Sequence, residues 1–299
     1  MKTKTVNRTG KSLVKKALVV EAKKTKTIDK NNLKEANEKI RLEKVALAKS
    51  QNGEADSTIK KSSVAPKEDK KYAVTIDVKD MLTAGCHLGH KVSKTNPRVK
   101  EYLFAAREGI QIFDLNKSFL NLEKACNFVY NAKRNGKQIV MLGTKRQARE
   151  VVRRVALDAG VPYITDRWLG GTVSNWSEIK KNIVKLNEIN SGLQNGKYAQ
   201  ISKKDLSILN KEKSRLESMV GGLTKLDKLF DIIFVVDAGF EKTAIKEAKM
   251  KGVKVVALVD SDSNPEKVDF PITVNDDNVK SIDLVVQEIG KAIKAAGVK

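Results

Sequence analysis

Short apolar runs alternate with longer amphipathic stretches through much of this chain, and the alternation is the strongest constraint on its fold. Apolar runs typical of buried strands occur at residues 138–142, 163–164, 232–236 and 253–259, and Ile272 belongs to a further one. Helical periodicity fills most of the intervals between these runs. Parallel strands joined in this way need right-handed crossovers. The pattern therefore predicts an α/β fold with a parallel sheet and helices on both faces.

Glycines and capping residues predict where the helices begin and end. One helix is predicted from Asn116 to Asn135, another from Thr144 as its N-cap to Gly160, and others over residues 241–251 and 281–296. Glycine commonly follows the last turn of a helix, and a Thr at the first position accepts a bond from the backbone.

The segment before the first of these helices has a different pattern. Asp77 is predicted to cap a short helix that ends near Gly85. Residues 102–105 and 110–113 flank the tight turn Arg107-Glu108-Gly109, which predicts a β-hairpin.

Two further helices interrupt the strand-helix alternation. From Val173 to Leu193 apolar residues recur every three or four positions, and a second stripe runs from Leu209 to Leu223. A polar turn separates the stripes, and Ser202 is placed to cap the second helix. We expect an antiparallel, coiled-coil helical hairpin at residues 173–225, inserted within a domain of residues 73–299.

The N-terminal segment differs from the rest in composition. Residues 1–72 hold 20 Lys and Arg against 9 Asp and Glu, and apolar residues are sparse there. Such a segment buries too little apolar surface to fold alone, so we predict a Lys-rich, disordered extension. It is either a solvated tail without a specific role or an arm that raises non-specific affinity for RNA.

The net charge of +22 and the pI near 9.8 indicate a polyanionic partner, which is nucleic acid or an anionic membrane surface. No apolar run approaches the roughly 18–20 residues of a membrane span, and no secretory signal begins the chain. With only two cysteines, a disulfide scaffold is not expected and a reducing cytoplasm is the predicted compartment. A membrane-surface protein that uses its basic arm remains an alternative.

A phosphate-binding enzyme is the other alternative. Parallel sheets bind ligands at the carboxyl ends of their strands, where Gly143-Thr144-Lys145 could place an anion at a helix N-terminus. However, neither a Gly-x-Gly-x-x-Gly nor a Gly-x4-Gly-Lys-Ser/Thr motif follows any strand. A phosphate of RNA would satisfy Lys145 as well as a phosphate of a small ligand.

Two clusters resemble metal sites, and each has a simpler interpretation. Asp260, Asp262 and Asn264 alternate like the first ligands of a calcium loop, but Pro265 occupies the position that needs Gly. A turn stabilised by Asx side chains is the preferred interpretation. His87 and His90, next to Cys86, have metal-like spacing but lack a fourth ligand, so we favour a packed glycine turn.

Three motifs in a fixed order carry a resemblance to a known family. They are Gly85 with His87-Leu88-Gly89-His90 and Asn96-Pro97, then Gly143-Thr144-Lys145, and then Arg167-Trp168-Leu169-Gly170-Gly171 with Thr172 to Trp176. In this order and spacing they resemble the bacterial small-subunit ribosomal protein two family, over about residues 78–286.

The resemblance implies a flavodoxin-like α/β domain with a projecting helical hairpin. Members of the family contact small-subunit rRNA and help to seat the large first protein of that subunit, among neighbouring ribosomal proteins. The implied location is cytoplasmic and ribosome-bound, without a membrane and without homo-oligomerisation. The family has no associated catalysis, and we expect neither a cofactor nor a metal.

Phosphate recognition by basic side chains would dominate such RNA binding, because each neutralised phosphate releases condensed cations. The expected rRNA contacts fall in four places. They lie in the loop after His90, in the tight turn at residues 107–109, at the helix start predicted after the apolar run 138–142, and just before Trp168. They are Lys91, Lys94, Arg98, Lys100, Arg107, Lys145, Arg146, Arg149 and Arg167.

Overall fold

The structure is a computed structural model that describes residues 71–198 and 202–297. The chain divides into two units after Val64, and all of the described residues belong to the second unit. The predicted extension, residues 1–72, therefore lies outside the described residues except for its last two positions. The prediction that this segment is disordered stays a prediction.

Seven α-helices and eight strands make up the described part of the chain. In chain order they are α1 (Val78–Thr83), β1 (Leu88–Lys91), β2 (Leu103–Arg107), β3 (Ile110–Phe113), α2 (Leu115–Arg134), β4 (Ile139–Leu142), α3 (Arg149–Asp158), β5 (Tyr163–Ile164), α4 (Trp176–Gln194), α5 (Lys203–Val220), β6 (Ile232–Val235), α6 (Lys242–Met250), β7 (Lys254–Val259), β8 (Phe270–Thr273) and α7 (Val279–Gly297). Short 3₁₀ helices lie at Val92–Lys94, Pro97–Tyr102, Gly221–Leu223 and Pro265–Lys267.

The main sheet confirms the predicted parallel α/β architecture. Its five strands are all parallel and follow the order β5-β4-β6-β7-β8. Numbered among themselves, the strands run 2-1-3-4-5, which is the flavodoxin-like order. The direction of the strand order reverses at β4, so the crevice beside β4 and β6 is where this class of fold ordinarily binds ligands.

Alternating side chains of the parallel strands feed two separate cores. Ile139 and Met141 of β4 face a core that includes Val129 of α2 and Val286 of α7. Val140 of β4, one position along, faces a second core that includes residues of α4, α5 and α6. Because both faces of the sheet are covered, its strands are mostly apolar, as the runs in the sequence predicted, and the charged Lys254 lies at the exposed start of β7.

A smaller antiparallel sheet precedes the parallel one, with the order β1-β3-β2. The predicted hairpin is confirmed: Arg107 pairs with Ile110 across the two-residue turn of Glu108 and Gly109. Both turn residues have positive φ, at 52° and 77°, as a type I′ turn requires.

The predicted start of α3 was wrong. We expected Thr144 as the N-cap, but the helix begins at Arg149 after Ala148, which makes no side-chain capping bond. Thr144 is buried, and its hydroxyl donates to Glu241, which directly precedes α6. The Thr144 side chain thus bonds to a residue before α6 instead of capping the start of its own helix. Local sequence does not predict this partner, because Glu241 is 97 positions away. In contrast, Asp77 caps α1 with a full capping box, as predicted.

Helices α4 and α5 pack against each other on the second face of the sheet. Ile183 and Leu186 of α4 share the second core with Leu216 and Val220 of α5. Ser202 accepts a bond from the backbone N–H of Asp205 at 3.2 Å and so caps α5, as predicted. The connection between the helices includes residues 199–201, which lie outside the described residues.

Candidate nucleic-acid interface

The crevice at the reversal of strand order is filled by ion pairs within the protein. The ammonium of Lys145, which follows β4, lies 3.0 Å from Asp237, which follows β6. It lies 2.7 Å from Asp276 and 2.7 Å from Asp277, both of which follow β8. The Lys145 side chain is only 13% exposed, so these contacts are shielded from water.

The three carboxylates around Lys145 more than offset the unfavourable effect of burial on its positive charge. Burial alone disfavours the charged ammonium, but the contacts with Asp276, Asp277 and Asp237 raise the pKa of Lys145 overall. Burial also raises the pKa of Asp276, and the nearby carboxylates of Asp237 and Asp260 raise it further. A phosphate in this crevice would meet more carboxylates than cations. The crevice therefore favours ion pairs between its own side chains and disfavours a bound anion.

His90 is a cation in the same network. Its Nδ1 lies 3.1 Å from Asp260 and its Nε2 lies 3.3 Å from Asp277. The hydrogen bond that the His90 imidazole donates to the Asp260 carboxylate is the main cause that raises the pKa of His90 to about 9, against the opposing effect of burial. His90 is therefore protonated at neutral pH, and its backbone N–H also donates to the Ser261 hydroxyl at 2.8 Å. These two contacts of His90 join β1 to the residues that follow β7.

The two metal-like clusters have structural roles. Asp260 is buried and bonds to His90, and Asn264 caps the 3₁₀ helix Pro265–Lys267 by accepting from the backbone of Glu266. The preferred interpretation as an Asx-stabilised turn is thus confirmed. Within residues 71–198 and 202–297, no three His, Cys, Asp or Glu side chains are grouped to hold a metal ion.

The loop that contains Trp168 is organised by one buried carboxylate that the sequence analysis missed. Glu247 of α6 accepts five hydrogen bonds, from the Trp168 indole, the backbone N–H groups of Gly171, Val173 and Ser174, and the Ser174 hydroxyl. Burial opposes its charge, but the backbone and indole donors together lower the pKa of Glu247. Trp168 itself is 8% exposed, so its ring packs in the interior.

The antiparallel sheet brings two of the predicted rRNA contacts together. Lys91 of β1 and Arg107 of β2 both pair with Ile110 of β3, one from each side. With neighbouring strands about 4.8 Å apart, the two residues stand about 10 Å from each other across the sheet. Lys91 is exposed, and within the described residues Arg107 pairs only with the exposed Glu108, at 4.0 Å. Both charges are therefore available to an external anion.

The other predicted contacts have different surroundings. Lys94, Lys100, Arg146 and Arg167 are exposed. Arg98 forms an ion pair with Glu266, and both side chains are more than half exposed. Arg149 donates to the backbone carbonyls of Thr144 at 2.8 Å and Asp166 at 3.1 Å, and no carboxylate among the described residues pairs with it. Lys145 differs from these residues because its ammonium is largely buried and contacts three carboxylates.

A second basic surface was not singled out from the sequence. A cleft of about 620 Å³ beside α6 is lined by exposed lysines together with the apolar Ile245 and Met250. These lysines are Lys242, Lys246, Lys249 and Lys267. The helical spacing of Lys242, Lys246 and Lys249 in the sequence could have indicated a basic helix face. The approach of Lys267 to this face depends on the tertiary fold.

The family model for "Ribosomal protein S2" matches residues 81–296, which include every described strand and all of the basic positions above. The chain belongs to the ribosomal protein S2 family. The chain is also 39% identical over 218 residues to the small ribosomal subunit protein uS2 of Oenococcus oeni, covering 73% of this chain and 84% of that protein.

A second relative supports the same assignment to the ribosomal protein S2 family. The small ribosomal subunit protein uS2 of Treponema pallidum is 37% identical over 222 residues, which cover 74% of this chain and 76% of that protein. The resemblance deduced from the three motifs is thereby confirmed. Among the described residues, no helix of this family member has the length and apolar character needed to cross a membrane.

Proposed function

We propose that this protein is a structural constituent of the small ribosomal subunit that binds small-subunit rRNA and helps to seat neighbouring ribosomal proteins. The observation that carries the proposal is the contrast between two sets of cations in a member of the ribosomal protein S2 family. The crevice that would serve an enzyme is occupied by internal ion pairs around Lys145, whereas Lys91 and Arg107 are exposed on the antiparallel sheet and have no buried carboxylate partner among the described residues.

RNA binding on this surface works by neutralising phosphates. Each contact releases condensed cations, so the affinity falls as salt rises, with a slope of about −0.7 to −0.9 per contact. The proposed contacts are those of the sequence analysis without Lys145, whose ammonium already has three carboxylate partners. They are Lys91, Lys94, Arg98, Lys100, Arg107, Arg146, Arg149 and Arg167.

Helices α4 and α5 are proposed to form a projecting antiparallel hairpin that docks onto RNA or protein. Their packing against each other supports a hairpin, and exposed lysines such as Lys180, Lys181 and Lys203 supply a basic outer face. The proposed partners include the large first protein of the subunit. The proposed location is cytoplasmic and ribosome-bound, and the proposed state is a single copy per subunit without homo-oligomers.

The competing function, a phosphate-binding enzyme centred on Lys145, is disfavoured by the ion pairs in the crevice. That hypothesis expects Lys145→Met to remove binding of inorganic phosphate without harm to the fold. We expect instead no phosphate binding in the wild type and a loss of about 3–5 kcal/mol in the free energy of unfolding of Lys145→Met, because buried carboxylates lose their partner. Urea denaturation measures the second quantity.

The matched control for that experiment is Arg146→Met. Arg146 is the exposed neighbour of Lys145 and has no ion pair with a described residue. Its replacement should change stability by no more than about 0.5 kcal/mol. Equal stability of the two variants would contradict the structural role of Lys145.

Sedimentation of cell lysate through a sucrose gradient tests the proposed function directly. We expect the protein to migrate with the small subunit in moderate salt and to be released as salt is raised. For purified components, filter binding to small-subunit rRNA across a salt series should show a shallower slope for the double variant Lys91→Gln, Arg107→Gln. The expected decrease in slope is about 1.4–1.8.

Lys137→Gln provides the control for this binding assay, because Lys137 is exposed and precedes β4, away from the carboxyl ends of the strands. Its slope should match the wild type within error. Migration at the top of the gradient at every salt concentration would overturn the proposed function.

A further inference from the structure

A cleft on the surface joins two basic residues to an exposed aromatic ring. It has a volume of about 530 Å³, and its walls include Arg149, Arg167, Asp166 and Phe240. Clefts of about 300–1,000 Å³ are typical of small-molecule sites, so the volume is sufficient for one nucleotide. The cleft lies next to the ion-paired crevice of Lys145 but opens on Arg149 and Arg167 instead.

Phe240 is positioned for contact with an external partner. Its side chain is 63% exposed, although it lies in the connection between β6 and α6 of the folded domain. The backbone N–H of Phe240 donates to the Asp237 carboxylate at 2.8 Å, and Asp237 is itself fixed by Lys145. Asp237 has a positive φ of 68°, a backbone conformation that residues other than Gly rarely adopt. The ring is thus held on a fixed loop and needs little ordering when a partner binds.

The two arginines of the cleft, Arg149 and Arg167, are also positioned to bind an anion. Two donors of the Arg149 guanidinium are fixed on the backbone carbonyls of Thr144 and Asp166, and no carboxylate in the described part of the chain neutralises its charge. Arg167 is exposed and forms no ion pair with a residue in the described part of the chain. Asp166 adds a carboxylate, which repels phosphate but accepts hydrogen bonds from the amino groups of bases.

We propose that this cleft binds one unpaired nucleotide of structured RNA. The base stacks on the ring of Phe240, Asp166 accepts from an amino group on the edge of the base, and Arg167 with Arg149 contacts the adjoining phosphates. Stacking on an aromatic ring is the usual way in which proteins hold splayed-out bases of single-stranded RNA segments. The proposal rests on the proposed binding of small-subunit rRNA and adds to it a contact that phosphate attraction alone does not provide.

The test compares Phe240→Leu with Arg167→Gln in the full-length protein, using filter binding to purified small-subunit rRNA across a salt series. Loss of the ring should weaken binding by about 5- to 150-fold, which is the range measured for one stacked base. The dependence on salt should not change, because Phe240 neutralises no phosphate. Arg167→Gln should instead reduce the salt slope by about 0.7–0.9.

The control variant is Leu157→Ala, which removes another exposed apolar side chain, 59% accessible, from α3. It should bind RNA like the wild type, and thermal denaturation should show that all three variants remain folded. Ultraviolet irradiation of the wild-type complex, followed by mass spectrometry, should place a cross-linked nucleotide on the peptide that contains Phe240.

The possible outcomes separate this inference from the proposed function. If the wild type binds the rRNA and Phe240→Leu binds equally well, the stacking site is wrong while the proposed function stands. If the wild type does not bind the rRNA at all, both fail. A Phe240→Leu variant that binds rRNA normally but loses another ribosomal protein would also overturn the proposal, because the ring would then be a protein contact.

Discussion

Single buried charges determine the local structure around the two most polar parts of this molecule. Glu247 collects five donors from the loop between Trp168 and Ser174, and it replaces the water that those backbone groups would otherwise bind. His90 of β1 contacts two carboxylates, Asp260 and Asp277, which follow β7 and β8. In both cases a charged group satisfies partners that would be costly to bury alone.

Glu247→Gln should be strongly destabilising although the side chain keeps its size. The amide has one acceptor oxygen where the carboxylate has two, and its NH₂ group faces backbone donors. We expect a loss of about 2–4 kcal/mol in the free energy of unfolding, because several donors lose a charged acceptor. Urea denaturation followed by tryptophan fluorescence measures it, since Trp168 donates to this carboxylate.

The control is Glu178→Gln on α4, where the glutamate is 56% exposed and paired only with Lys181. An exposed pair of this kind contributes about 0.5 kcal/mol or less. If the two glutamate variants are equally stable, the role assigned to Glu247 is wrong.

His90 predicts a loss of stability on the alkaline side of neutrality. Its pKa is raised from 6.5 to about 9 in the folded protein, so the protonated form stabilises the fold fully below pH 6.5. This contribution disappears as the pH rises through 9, and it amounts to about 3 kcal/mol at most. Urea denaturation at pH 6 and pH 10 should show that the difference between wild type and His90→Gln shrinks at the higher pH. A difference that is independent of pH would refute the charged state of His90.

At the scale of the elements, a glycine controls how closely α5 approaches the parallel sheet. A Cβ at Gly222 would lie 2.1 Å from the backbone oxygen of Tyr163 in β5, which is far inside van der Waals contact. At the adjacent Gly221 the nearest atom would be 3.8 Å away, and the backbone there is helical. The close approach at this glycine pair therefore depends on Gly222 and not on Gly221.

Gly222→Ala should lower the free energy of unfolding by about 3 kcal/mol, because β5 and the 3₁₀ helix Gly221–Leu223 must separate to admit the methyl group. Gly221→Ala is the matched substitution and should be neutral or slightly stabilising, since alanine restricts the unfolded chain. Thermal denaturation of the two variants distinguishes them. Similar melting temperatures would show that the close approach at Gly222 has no energetic importance.

At the scale of the whole molecule, charge is distributed unevenly along the chain. Residues 1–64 carry 17 Lys and Arg against 7 Asp and Glu, so this segment supplies +10 of the net charge of +22. The region matched by the ribosomal protein S2 family begins only at residue 81. Non-specific attraction and specific placement on the ribosome are thus expected to reside in different parts of the protein.

Deletion of residues 1–64 should lower non-specific affinity for RNA and reduce its salt dependence, because fewer phosphates are neutralised. Binding to an unrelated single-stranded RNA measures this effect across a salt series. The shortened protein should still migrate with the small subunit in a sucrose gradient, since the family region is intact. Loss of that comigration would show that the extension is required for specific placement.

Local patterns in the sequence determined the elements of this fold. Buried strands must be apolar, helices must repeat at 3.6 residues, and Asp77, Ser202 and the type I′ turn of Glu108-Gly109 act through their immediate neighbours. These features predict the parallel sheet, the antiparallel hairpin of β2 and β3, and most helix ends. The motifs around His90, Lys145 and Trp168 were likewise sufficient to find the family.

The tertiary structure decided what individual polar groups do, because their partners are distant in the chain. Lys145 meets Asp237 and Asp276 only because right-handed crossovers bring the strand ends together across 92 and 131 positions. For the same reason Thr144 bonds to Glu241 instead of capping a helix, and Arg149, Arg167 and Phe240 share one cleft. Sequence specifies which groups are available, whereas the packing of strands and helices specifies which charges are paired inside the protein and which are exposed.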